Sequence, residues 1–340
     1  MSPVLRRRFL AGAVGVSLAL TSCGTNGDPA ALERSTESPT TDAPLATTVP
    51  STEAPATSVA PTTTTTTTAP PPAQLAAVPP ATSPEQAAQR VEAAERTVRD
   101  PAAAPEVVAA AAFELQQLYR QLGRTREWDA AVFEHTPDHL RPVVANNVAA
   151  RREFRNMHSK LSDTLPAWRI VEPPPPEELL GYYQEGEAIF GVPWEILAAV
   201  NLVETGMGRI RGTSVAGAQG PMQFMPATWA AFGEGDVNDH RDAILGAARY
   251  LAHNGGGRGE IDTALWNYNH SHRYVRGVKH YAAVMEQDPQ AFLGFYNWQV
   301  VYLSTAGDIW LPTGFEQGER IPVTDYIGAN PHHHLGAATH

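Results

Sequence analysis

The 340-residue chain predicts a mainly α-helical protein carried on a long unstructured stalk. Apolar residues recur at helical spacing through 84–165 and again through 176–286, and over 176–286 no alternation of apolar and polar residues signals strands. From Gly24 to about Thr82, by contrast, the chain is mostly Thr, Pro, Ala and Ser, with an unbroken Thr62–Thr68. Such a segment has too little apolar side chain to offset its ordering entropy.

The N-terminus, residues 1–23, reads as an export signal. Arg6-Arg7-Arg8-Phe9-Leu10 supplies the positive flank, and an apolar run follows from Phe9 to Leu20. That run is about 12 residues, against roughly 20 for a spanning helix, so a signal peptide fits better than a membrane span. Arg-Arg-x-Phe-Leu resembles a twin-arginine signal. Leu20-Thr21-Ser22-Cys23-Gly24 resembles a bacterial lipobox, which implies lipidation at Cys23 and anchoring to the outer face of the cell membrane. The bland alternative, a small buried cysteine, fits poorly with its place directly after the apolar run. Cys23 is the single cysteine, so no internal disulfide forms and metal motifs built on paired cysteines are excluded.

Residues 24–82 are read as a disordered linker, long enough to let an anchored domain stand off from the membrane. Order is expected from Ser83, a candidate N-cap with Pro84 at the first helical position. Residues 83–172 form a helical arm on the strength of three stripes. These are Val91, Ala94 and Val98; then Val108, Ala111, Leu115, Leu118 and Leu122; then Val144, Val148, Phe154, Met157 and Leu161. Packing or spacing is its simplest purpose. Pro173–Pro176 breaks the helix and opens a domain over 173–290. There Pro193 opens a helix through Glu204, Pro226 opens a short helix through Phe232, and Asp239 caps a helix through His253. Helices near 261–270 and 273–286 follow. Residues 291–340 are an aromatic-rich extension, expected to pack partly on the core, with a loose tail after Gly328.

The formal net charge is −11 and falls further once the three N-terminal arginines are removed. That balance argues against a nucleic-acid partner.

The chemistry centres on Glu204. It lies about 100° beyond Val203 on its helix, at the edge of the face formed by Ile196, Ala199, Val200 and Val203. It also lies in the last turn, where the helix dipole disfavours a carboxylate. Partial burial disfavours the charged form too, so a raised pKa is expected. A carboxylic acid protonated near neutral pH is what glycosidic-bond cleavage needs. Taken alone, a helix-end glutamate is more often a solvent-facing side chain.

The surrounding residues change that reading. Ser214-Val215-Ala216-Gly217-Ala218-Gln219-Gly220-Pro221-Met222-Gln223-Phe224-Met225-Pro226 follows, and then Ala264-Leu265-Trp266-Asn267-Tyr268-Asn269. Together with Glu204-Thr205 these blocks resemble the soluble-lytic-transglycosylase family, related to goose-type lysozyme, over roughly residues 180–286. The resemblance implies a lysozyme-like helical domain with Glu204 as acid/base. It implies that Ser214, Gln223 and Met225 contact the sugar, that the Tyr268 hydroxyl bonds the catalytic carboxyl, and that Asn269 follows in the groove. Four departures stand: Thr205 for serine, one extra residue between Glu204 and Ser214, Pro221 for leucine, and His270-Ser271 after Asn269. Met222, Met225 and Trp229 also suit core positions, and the glycines suit turns.

No Asp or Glu lies between Thr205 and Gly233, and Glu195 is about 13.5 Å away along the helix axis. Paired-carboxylate hydrolysis would need a second acid from Glu234, Asp236, Asp239 or Asp242. The resemblance implies a one-acid route instead, which cuts the MurNAc–GlcNAc bond and leaves a 1,6-anhydro end. A hydrolysing muramidase and a non-catalytic wall-binding lipoprotein are the alternatives. No cofactor or metal is expected, since His332-His333-His334 and the His270/His272 pair lack supporting acids. The expected partners are peptidoglycan strands and, through Cys23, the membrane.

Overall fold

The computed structural model describes residues 75–336, Val215 excepted. Cys23, the export signal and the linker up to residue 74 therefore lie outside the described residues, as does the end of the tail.

Helices dominate. The arm holds α1 (Pro84–Val98), α2 (Pro105–Arg124), α3 (Asp129–His135) and α4 (Arg141–Arg155). The Ser83 hydroxyl accepts the Gln86 N–H at 3.2 Å, so the expected cap forms. The expected third helix stops at Arg155, short of Leu161. The chain then runs into β1 (Thr164–Leu165) and β2 (Arg169–Ile170). Next come α5 (Pro176–Phe190), α6 (Trp194–Thr205), β3 (Ile210–Arg211), α7 (Pro226–Phe232), α8 (His240–His253), α9 (Ile261–Tyr268) and α10 (His272–Gln287). Asp239 caps α8 through the Asp242 N–H at 2.9 Å.

The C-terminal extension forms α11 (Ala291–Tyr296), β4 (Val300–Ser304), β5 (Gly307–Leu311), β6 (Ile321–Pro322) and α12 (Val323–Ala329). All three strand pairs are antiparallel: β1 with β6, β2 with β3 and β4 with β5. Sequence patterning did not show them. Four of the six strands are two residues long, too short for a period, and every residue of β5 is buried, which erases alternation. The expectation of a loose tail is corrected as far as Gly336. Leu335 donates its N–H to the Asp308 carbonyl at 2.9 Å, and the His333 ring bonds the Tyr326 hydroxyl at 2.8 Å.

One apolar core runs from Val91 and Leu118 in the arm through Leu197 and Val200 of α6 to Val278 of α10 and Phe295 of α11. The arm and the glutamate-bearing helix thus share an interior. Phe154 of α4 stacks on Tyr281 of α10, ring centroids 5.5 Å apart. Gly277 lets α4 come that close, because a Cβ there would meet the Phe154 ring at 2.5 Å. A buried ion pair ties α2 to β5: Arg120 Nε donates to Asp308 Oδ2 at 2.8 Å, and Arg124 adds a bond of 2.6 Å.

Candidate active site

Helix α6 is buried on nearly every side, with Glu195 alone partly exposed. It is not the half-buried helix that its apolar stripe predicts, because α5, α8 and α10 all pack against it. Its end is a tight reversal. Gly206, Met207 and Gly208 all have positive φ (62°, 63° and 82°). Thr205 stabilises this turn. Its hydroxyl accepts the Gly208 N–H at 3.0 Å and donates to the Pro221 carbonyl at 2.5 Å. Asn201 bonds the same carbonyl at 2.8 Å, and its own oxygen accepts from the Tyr183 hydroxyl at 2.6 Å. Threonine can stand where the family pattern has serine because this position spends its hydroxyl on backbone.

Glu204 is 1% exposed, deeper than the edge position its helix geometry predicts. Burial raises its pKa to about 7, and the Tyr274 hydroxyl, donating to Oε1 at 2.7 Å, works in the opposite direction. The other oxygen, Oε2, is buried without a hydrogen-bond partner among the described residues. With Oε1 accepting, the proton of the neutral acid belongs on Oε2. Tyr274 is itself buried, which raises its own pKa well above the usual tyrosine value and keeps it a neutral donor.

The expected tyrosine is not the one that bonds the acid. Tyr268 ends α9 and donates to the Met222 carbonyl at 2.6 Å. Tyr274, in the first turn of α10, takes the role that the motif position implied for Tyr268. The two rings lie parallel, 6.4 Å apart, so Tyr268 backs the bonded tyrosine and also holds the loop. Tyr274 lies on the buried stripe of α10 with Val275, Val278 and Tyr281, which reads as core. The usable signal was its hydroxyl, since a buried tyrosine usually finds a polar partner.

The loop from Ser214 to Met225 is folded by its own bonds. The Ser214 hydroxyl accepts the Ala218 N–H at 2.9 Å, and Gln219 and Phe224 exchange backbone bonds of 2.9 and 2.8 Å. This places Ser214 in a loop-closing role. Gln223, at the tip, has φ +51°, a strained region for a side-chain-bearing residue. Its Nε2 donates to the Gly220 carbonyl at 3.0 Å, while Oε1 is buried and unpartnered. Thr205 beside the acid and Tyr268 beside its tyrosine both bond this loop, so Glu204 and Gln223 belong to one connected assembly. Met225 is partly exposed at the start of α7. Asn269 is buried just after α9, its Nδ2 unpartnered.

A cleft of about 600 Å³ opens beside this loop, lined by Gln219, Gly220, Thr213, Arg169 and Arg211 among others. Glu204, Gln223 and Tyr268 do not line this cleft. The acids of 234–242 have partners of their own. Glu234 pairs with Arg249 at 2.9 Å, Asp239 caps α8, and Asp242 accepts the Asp236 N–H at 2.9 Å. His270 and His272 lie against Trp266. Among the described residues no group of three or more His, Cys, Asp or Glu could hold a metal ion.

Residues 181–290 match the family described as "Transglycosylase SLT domain". Among curated proteins, a "Membrane-bound lytic murein transglycosylase F" from Thiobacillus denitrificans is 36% identical over 75 residues, which is 22% of this chain and 16% of that protein. The chain thus spans only a small part of that relative's length. No solved structure matches.

Proposed function

We propose, from the premise that residues 181–290 are a transglycosylase SLT domain, that the chain is a peptidoglycan lytic transglycosylase with Glu204 as its single acid/base. One observation carries the reading. Glu204 is a buried carboxyl with a pKa raised to about 7, held by Tyr274 through one oxygen and without a partner among the described residues at the other.

Protonated Glu204 gives its proton to the oxygen joining N-acetylmuramic acid to N-acetylglucosamine, and that C–O bond breaks. The N-acetyl carbonyl of the muramic residue supports the cationic carbon. Glu204, now ionised, takes the proton of the muramic C6 hydroxyl, whose oxygen bonds that carbon. The product is a 1,6-anhydro ring, no water is consumed, and Glu204 ends protonated as it began. A pKa near the working pH suits a group that must act first as acid and then as base. Gln223, with an unpartnered oxygen on a strained backbone, is assigned to the sugar, as are Ser214, Met225 and Asn269. Lipidation at Cys23 would hold the enzyme at the outer face of the cell membrane.

The test is Glu204→Gln with mass spectrometry of the products from purified peptidoglycan. Anhydro-muropeptides should fall at least about a thousandfold, as expected when the proton donor is lost along with its counter-charge. Wild-type products carrying one more water would instead indicate a hydrolysing muramidase, and undiminished anhydro product from the variant would remove Glu204 from the mechanism.

A further inference from the structure

The proposed substrate is anionic, and a protein of net charge −11 offers it no general attraction. A local attraction lies beside the loop. The antiparallel pairing of β2 and β3 sets Arg169 directly opposite Arg211. Like charges at facing positions destabilise a strand pair, so such an arrangement calls for a compensating anion. Among the described residues no ion pair uses either arginine. The acidic residues nearby are Glu316, across an isolated bridge from Arg169, and Asp239, whose charge acts on Arg211 without forming a pair. Arg211 is held in place by the Asn238 carbonyl at 3.2 Å and the His240 ring at 2.5 Å, while Arg169 is exposed.

Both arginines line the 600 Å³ cleft, and so does Gly220, whose carbonyl anchors Gln223. The cleft therefore adjoins the loop assigned to the sugar. Its size falls in the range of pockets that hold ligands of several residues. The sugars of a glycan strand present hydroxyls and amides, and the carboxylates of the polymer sit on its peptide branches. We propose that Arg169 and Arg211 form a subsite for the carboxylates of those peptide branches, which makes the enzyme selective for peptide-bearing strands. The assignment rests on the lytic-transglycosylase reading for its substrate. A guanidinium fork suits a carboxylate in two-point contact.

The experiment uses two substrates, glycan strands with their peptides and the same strands stripped by an amidase with the lactyl carboxylates so exposed capped as methyl amides, and one direct probe, the soluble peptide that the amidase releases. For R169Q and R169Q/R211Q, KM on peptide-bearing strands should rise about tenfold or more, the loss expected for a charged hydrogen bond. On these strands kcat should hold, and on stripped strands both constants should stay within about twofold of wild type. R169Q/R211K should recover part of the loss seen in R169Q/R211Q, since it keeps the charge without the fork. Calorimetry should show the released peptide binding wild type and binding the double variant at least about tenfold more weakly. Absence of peptide binding to wild type, or equal losses on both substrates, overturns the proposal. Arginine-dependent peptide binding by a protein that cuts neither strand would leave the subsite standing and bring down the catalytic reading instead.

Discussion

The burial of Glu204 costs stability in a pH-dependent way. Its pKa is raised from an ordinary 4.5 to about 7, so the folded chain binds a proton more tightly than the unfolded one. The resulting stability is fully present below about pH 4.5 and is lost as pH rises through 7, about 3 kcal/mol in all at 1.36 kcal/mol per unit. Glu204→Gln should therefore leave Tm nearly unchanged at pH 4 and raise it at pH 8, which calorimetric scans at the two pH values would check. Tyr274 stabilises the ionised form, so Tyr274→Phe should move the alkaline limb of kcat/KM upward. The same variant should lower kcat roughly tenfold through lost orientation of the acid, read from a pH–rate profile. Much of this scale was legible in the chain. The stretch from Glu204 to Met225 marked the carboxyl and the loop bonded to its helix, and the expected burial gave the direction of the pKa, with no contribution needed from the helix end. The tyrosine was misplaced because motif position says which residue type is needed, while the turn after Asn269 decides which ring reaches the carboxyl.

At the scale of elements, the helices with side-chain caps or an opening proline were readable, as Ser83, Pro193, Pro226 and Asp239 illustrate. What escaped was made by long-range pairing. β1 meets β6 across more than 150 residues, and the β4–β5 hairpin has no exposed face on β5 to leave a polar mark. The clamp between α2 and β5 is another such case. Burial alone would raise the pKa of Asp308, but Arg120 and Arg124 win and hold it well below the usual carboxylate range. Its stabilisation is present above about pH 4 and fades as pH falls. Asp308→Asn leaves two guanidinium groups short of their counter-charge in a buried place. It should cost about 3–5 kcal/mol at pH 7, measured as a drop in urea midpoint, with the difference from wild type shrinking in acid.

For the whole molecule, one apolar core is shared by the helices of the arm, those of residues 173–290 and α11, while the strands of the extension pack in a second cluster with β2 and β3. α4 lies along α10, and Gln116 of α2 bonds the backbone of Gln299 in both directions at 2.8 and 2.9 Å. A chain shortened to begin at residue 173 would expose the face of α10 that carries Gly277 and Tyr281. It should lose its cooperative thermal transition by circular dichroism and aggregate, whereas a chain beginning near residue 75 should melt like the full one. The SLT domain match stops at the borders of a sequence pattern, while the folding unit extends beyond it on both sides. Helix α10 joins the two territories. Within a single turn it offers Tyr274 to the acid and Gly277 to Phe154 of the arm. A side chain exchanged on α4 should therefore shift the helix that presents Tyr274 to Glu204, and with it the affinity of that carboxyl for its proton, which an NMR titration of the Glu204 carboxyl in a Phe154→Leu variant would read.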